Sequence, residues 1–149
     1  MSAESDLIKL YSERILALAA DIPHHGRLEA PDVSVKKRAP LCGSTVTVDI
    51  VTREGVIRDY AADVKACALG QAAASIVGRQ IIGCDVDQVR RARDELKAML
   101  KQGGPVPAAP FDGLEVLQPA QDYKNRHASI LLTLDATLEA MEQALSPCS

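Results

Sequence analysis

Two runs of alternating residues, 45–52 and 56–64, flank Glu54-Gly55, and this pattern commits the middle of the chain to a β-hairpin. In the first run Val46, Val48 and Ile50 share one face, and Thr45, Thr47 and Asp49 share the other. In the second, Val56, Arg58, Tyr60 and Ala62 oppose Ile57, Asp59 and Ala61. A short basic run, residues 33–38, precedes the pair. Three strand-like segments in close succession imply an antiparallel meander.

The flanking segments carry helical spacing. Residues 6–20 place Leu7, Leu10, Ile15 and Leu18 on one face, with Ser5 or Asp6 available as cap. Pro23 and Gly26 then imply a turn, which takes in His24 and His25. After the hairpin comes an Ala-rich helix, residues 68–82, ending at Gly83. A charged helix follows over residues 85–102, with Val86, Val89, Leu96, Met99 and Leu100 toward the core. Asp85 and Asp87 suit its N-terminus and Lys101 its C-terminus. Residues 103–110 form a Gly/Pro/Ala loop, and a short segment lies around residues 114–117. A closing helix, residues 123–145, turns Ile130, Leu131, Leu134, Leu138 and Met141 inward, and residues 146–149 make a frayed tail. The expected class is α+β: one domain over residues 1–149, with a three-stranded antiparallel sheet packed on one side by helices.

Composition narrows the function. The 149 residues carry a net charge of −3, which argues against a nucleic-acid binder. No apolar run approaches the roughly 18 residues of a membrane helix. Residues 1–6 lack the basic and apolar regions of an export signal, so a cytoplasmic protein is expected. Aromatic residues are only 3%, so the core must be aliphatic.

In a reducing compartment the four cysteines are either small hydrophobes or ligands and nucleophiles. Cys42 stands between Pro40 and Gly43 at the entrance to the best strand, on a constrained loop; a small turn residue is the equally weighted alternative. Cys67 joins the third strand to the Ala-rich helix. There the positive end of the helix dipole, with Lys65 nearby, favours its thiolate, against the alternative of simple packing. The hairpin between the two cysteines returns the chain to its starting end, which brings both thiols to one end of the sheet. Cys84, between two helices, reads as structural, and Cys148 in the tail as incidental. His127 opens the closing helix beside Lys124. It is a candidate nitrogen ligand or acid/base group, although a lone histidine is more often a surface or capping residue. No phosphate-binding loop, dinucleotide fingerprint, nucleophile elbow or HExxH is present.

These pieces, in this order, resemble the IscU/NifU-type iron–sulfur cluster assembly scaffolds, including the SufU-like branch. The resemblance spans residues 11–144. The family motif Asn-Pro-x-Cys-Gly-Asp stands here as Ala39-Pro40-Leu41-Cys42-Gly43-Ser44, with the cysteine kept and the aspartate replaced by Ser44. The cysteine at the helix start is kept in Ala66-Cys67-Ala68-Leu69-Gly70. The third motif, a basic segment ending in cysteine, stands as Lys124-Asn125-Arg126-His127-Ala128-Ser129-Ile130-Leu131. Two alignments remain open: Ala128 takes the place of the third cysteine, with His127 at the family's histidine, or His127 replaces the cysteine itself. The first continues better through Ser129-Ile130-Leu131.

The resemblance implies a SufE/NifU-like fold and a scaffold or sulfur acceptor, not a catalyst. It implies a labile 2Fe–2S cluster, iron or zinc held through Cys42, Cys67 and His127. With Ser44 and Ala128 in place of ligands, two thiolates and an imidazole leave a tetrahedral ion one ligand short. The implied partners are a cysteine desulfurase and other assembly proteins, without nucleic acid or membrane, the chain being a monomer or weak homo-oligomer. The alternative is a binding module that docks to the desulfurase or assembly complex and carries no cluster. A third reading makes Cys67 a nucleophile with His127 as base.

Overall fold

The computed structural model describes residues 12–40 and 43–145. The elements run α1 (Glu13–Ala20), β1 (Val33–Ala39), β2 (Ser44–Arg53), β3 (Val56–Lys65), α2 (Ala68–Gln80), α3 (Val86–Gln102), a 3₁₀ helix (Asp112–Asp122) and α4 (Lys124–Leu145). The sheet is the expected antiparallel meander, in the order β1-β2-β3.

The hairpin forms as the alternation implies. Glu54 and Gly55 both take positive φ, 56° and 80°, as a two-residue turn matched to strand twist requires. Val46 pairs with Val64, Val48 with Ala62 and Ile50 with Tyr60, and all six side chains are buried. The register then slips at Val51/Thr52. This bulge corrects the face expected for the start of β3: Ile57 is fully buried, whereas Arg58 is exposed. Asp49 is also buried, because the chain between α1 and β1 crosses the outer face of β2. There Arg27 clasps the Asp49 carboxylate with two nitrogens, at 2.7 and 3.1 Å. The Leu28 N–H and the Ser34 hydroxyl also donate to it.

Within the described residues, α1 starts at Glu13: Ser12 has an extended ψ of 162°, and its side chain accepts from the Ile15 N–H. The capping expected of Ser5 or Asp6 lies outside the described residues. Helix α2 buries nine of its thirteen residues, and α4 packs against β1, β2, α2 and α3. Ile130, Leu131, Leu134, Leu138 and Met141 are all buried, as the spacing implies. A reciprocal cap between Asp85 and Gln88 opens α3, and Gly103, at φ 66°, closes it. The turn after α1 sits close on α2: a Cβ at Gly78 would lie 2.9 Å from the Pro23 carbonyl oxygen. Among the described residues no helix is long and apolar enough to cross a membrane.

Candidate functional site

The meander decides which residues meet. Ala39 pairs with Ser44 and Thr45 pairs with Lys65, so the β1–β2 turn and the end of β3 occupy the same end of the sheet. Cys67 follows two residues beyond β3. Cys42 itself lies outside the described residues, but its flanks are fixed: Gly43, at φ 69°, donates its N–H to the Ala39 carbonyl at 2.9 Å. A side chain there would strain the backbone, which is the local reason glycine follows the cysteine.

Cys67 is the N-cap of α2, with extended backbone angles. Its carbonyl accepts from the Gln71 N–H at 2.9 Å, while its thiol makes no capping bond. The sulfur, partly exposed, instead faces α4. Cys67 Sγ lies 3.5 Å from Ser129 Oγ, within sulfur hydrogen-bond range. Ser129 Oγ in turn lies 3.0 Å from Ser44 Oγ. Both serines are buried. A chain of polar contacts thus runs from Cys67 through α4 to the first residue of β2, two positions after Cys42. Sequence reasoning weighed Ser44 only as a lost ligand and did not single out Ser129. Gly70 carried a signal for it, since a Cβ at that position would come within 2.5 Å of Ser129 Oγ.

His127 belongs to a different surface of α4. The ring is buried, and Nε2 lies 2.9 Å from the Ala120 carbonyl in the 3₁₀ helix. A carbonyl only accepts, so Nε2 carries a proton and donates it, and in the neutral ring the lone pair is on Nδ1. Nδ1 is buried with no hydrogen-bond partner among the described residues. An imidazole with one nitrogen tied to a backbone carbonyl and the other unpartnered matches the pattern of a ligating histidine. His127 and Ser129 are nonetheless separated by about 200° around the helix, and Ser129 is the one that meets Cys67. Ala128, between them, is exposed. Among the described residues, which do not include Cys42, no three His, Cys, Asp or Glu side chains converge on a possible metal position.

Cys84 is buried, and its thiol donates to the Gln80 carbonyl at 3.2 Å. Burial, followed by the neighbouring Asp85 charge, pushes its pKa up, so it is an inert packing thiol. Cys148 lies outside the described residues.

Comparison with known proteins follows the same lines. The family model described as NifU-like N terminal domain matches residues 10–129. The iron–sulfur cluster assembly scaffold protein IscU of Thermotoga maritima is 24% identical over 138 residues, covering 93% of this chain and 96% of that protein. The crystal structure of a nitrogen-fixing NifU-like protein (N-terminal) from Brucella abortus superposes with a TM-score of 0.91 at 44% identity, covering 93% of this chain and 96% of that one. A putative iron–sulfur cluster assembly scaffold protein for the SUF system, from Fervidobacterium islandicum, shares the fold at a TM-score of 0.79 and 21% identity, over 90% of this chain and 98% of that one.

Proposed function

The chain belongs to the NifU-like N-terminal domain family, and from that premise we propose that it carries an assembling iron–sulfur cluster, or the iron or zinc ion that occupies the same ligands. Cys42 and Cys67 supply the thiolates. The observation that carries this reading is the sheet register, which sets the Cys42 turn and Cys67 at one sheet end, with Cys67 partly exposed there. His127 is the candidate third donor, through Nδ1. Because His127 and Ser129 lie on different sides of α4, capture of an ion by His127 entails movement of the first turn of that helix. His127 therefore matters less to occupancy than either thiol. The fourth position falls to water or to a partner, since Ala128 has no donor atom and Ser44 is a weak one.

On this reading the protein is a carrier and not a catalyst, and a cysteine desulfurase is the partner whose sulfur it receives. The names of the relatives, iron–sulfur cluster assembly scaffold proteins, support the carrier role. The contact of Cys67 with a buried serine is the observation that favours a loaded site over a docking module without cargo.

Anaerobic reconstitution with iron and sulfide, read by visible absorption and by metal content, tests the proposal. The wild-type protein should load. A Cys42→Ala/Cys67→Ala double variant should lose at least about tenfold in occupancy, equivalent to roughly 1.4 kcal/mol or more of binding. His127→Ala should lose only about two- to fivefold, below that tenfold mark. Wild-type loading no greater than that of the double variant would sink the reading.

A further inference from the structure

Three observations converge on one side chain that is not among the proposed ligands. Ser129 Oγ sits 3.5 Å from Cys67 Sγ and 3.0 Å from Ser44 Oγ. Ser129 itself is 1% exposed, so no bulk water competes for its hydroxyl. The helix facing it has glycine at the one position where a Cβ would strike that oxygen, at 2.5 Å. The same Cβ would meet the Ala66 methyl at 2.8 Å and the Ser129 carbonyl oxygen at 3.1 Å, so α2 and α4 pack closely at Ser129.

We infer that Ser129 is a positioning residue for Cys67. It holds the sulfur in one rotamer, turned toward α4, and Ser44 holds Ser129 in the orientation that allows it. The direction of the bonds follows from chemistry. A sulfur serving as thiolate ligand has no proton to give, so Ser129 must donate to it. The lone pairs of Ser129 then accept from the Ser44 hydroxyl, which draws the first residue of β2 into the same arrangement. A serine where the family has aspartate thus has a role of its own, as the far end of a support for Cys67. This inference rests on the scaffold reading for its purpose, but the arrangement itself belongs to the chain without cargo.

The test uses the full-length protein free of metal. The Hα–Hβ couplings of Cys67, measured by NMR, report its side-chain rotamer directly. The wild type should show one dominant rotamer. Ser129→Ala should convert it to a rotamer mixture while amide shifts remote from the site stay in place. Gly70→Ala, whose methyl crowds the Ser129 oxygen together with Ala66, should do the same. Ser44→Ala should give a smaller change in the same direction. If Ser129→Ala does not fold, Gly70→Ala and Ser44→Ala decide the matter. Couplings that remain as in the wild type in the folded variants overturn the inference.

A second readout separates this inference from the reading beneath it. In protein reconstituted with iron and sulfide, loss of a hydrogen bond to a ligand sulfur should lower the cluster's reduction potential in Ser129→Ala. An unchanged potential in a loaded Ser129→Ala protein counts against the inference. Failure of the wild type to load removes the scaffold reading, while the rotamer measurement still decides the role of Ser129. Unchanged couplings in a protein that loads normally remove the role of Ser129 and leave the scaffold reading standing.

Discussion

Asp49 shows how far a single residue can depart from its pattern. Alternation along β2 marks it as an outward, solvated side chain, yet the structure buries it under the Arg27–Leu28 segment. Burial acts to raise its pKa, but the hydrogen bonds from Arg27, Ser34 and the Leu28 N–H, with the Arg27 charge, outweigh burial and hold the carboxyl below the usual carboxylate range. A depressed folded pKa gives stability that is fully present above the unfolded value, about pH 3.9, and is lost as pH falls through the lower folded value. Asp49→Asn should therefore cost about 1–3 kcal/mol at pH 7, with the gap to wild type closing in strong acid; urea unfolding at both pH values measures it. Periodicity could not reveal this site, because the covering segment lies some twenty positions away in sequence. Ser129 was hidden for the same reason: its partners come from β2 and from the start of α2. Cys67 was legible, because a hairpin returns its ends to one place and because a strand-to-helix junction is marked locally.

At the scale of elements, boundaries followed the local chemistry wherever that chemistry was unambiguous. The Asp85–Gln88 box and Gly103 delimit α3 within a residue of the expected span. Asp85→Ala should lower stability by about 1 kcal/mol, measured by thermal or denaturant unfolding, while Ser129 and Cys67 keep their geometry. The N-terminal helical run holds several residues that could cap a helix. Ser5, Asp6 and Ser12 all suit the role, and only the extended backbone at Ser12 shows where the described helix starts. The 3₁₀ helix was expected only as a short segment. Its Pro119 interrupts the signals a longer helix would give, and its relevance emerges through Ala120, the carbonyl that holds His127.

Across the whole molecule, the described cysteines divide into two classes by accessibility. Cys67 is partly exposed at the sheet end, and Cys84 is sealed in the core with a raised pKa. Peptide-mapped alkylation of the metal-free native protein should modify Cys67 readily and leave Cys84 untouched. Cys84 should become reactive only along the cooperative unfolding transition, so its labelling rate tracks global stability. Early reaction at Cys84 under native conditions would show that the α2–α3 junction opens separately from the rest of the fold.

The bulge at Val51/Thr52 gives the hairpin a built-in phase corrector. It divides the ladder into a tip segment, which includes the exposed Glu54, and a root segment that runs to Thr45 and Lys65. A length error introduced at the tip can be taken up at the bulge before it reaches the root, because the pairs from Val51 onward toward the root keep their own uninterrupted count. The hairpin acts as a ruler whose zero lies at the cysteine end. A tag spliced between Glu54 and Gly55 should leave the spacing there unaltered, whereas the same insertion on the root side of the bulge would shift every graduation that Cys67 depends on.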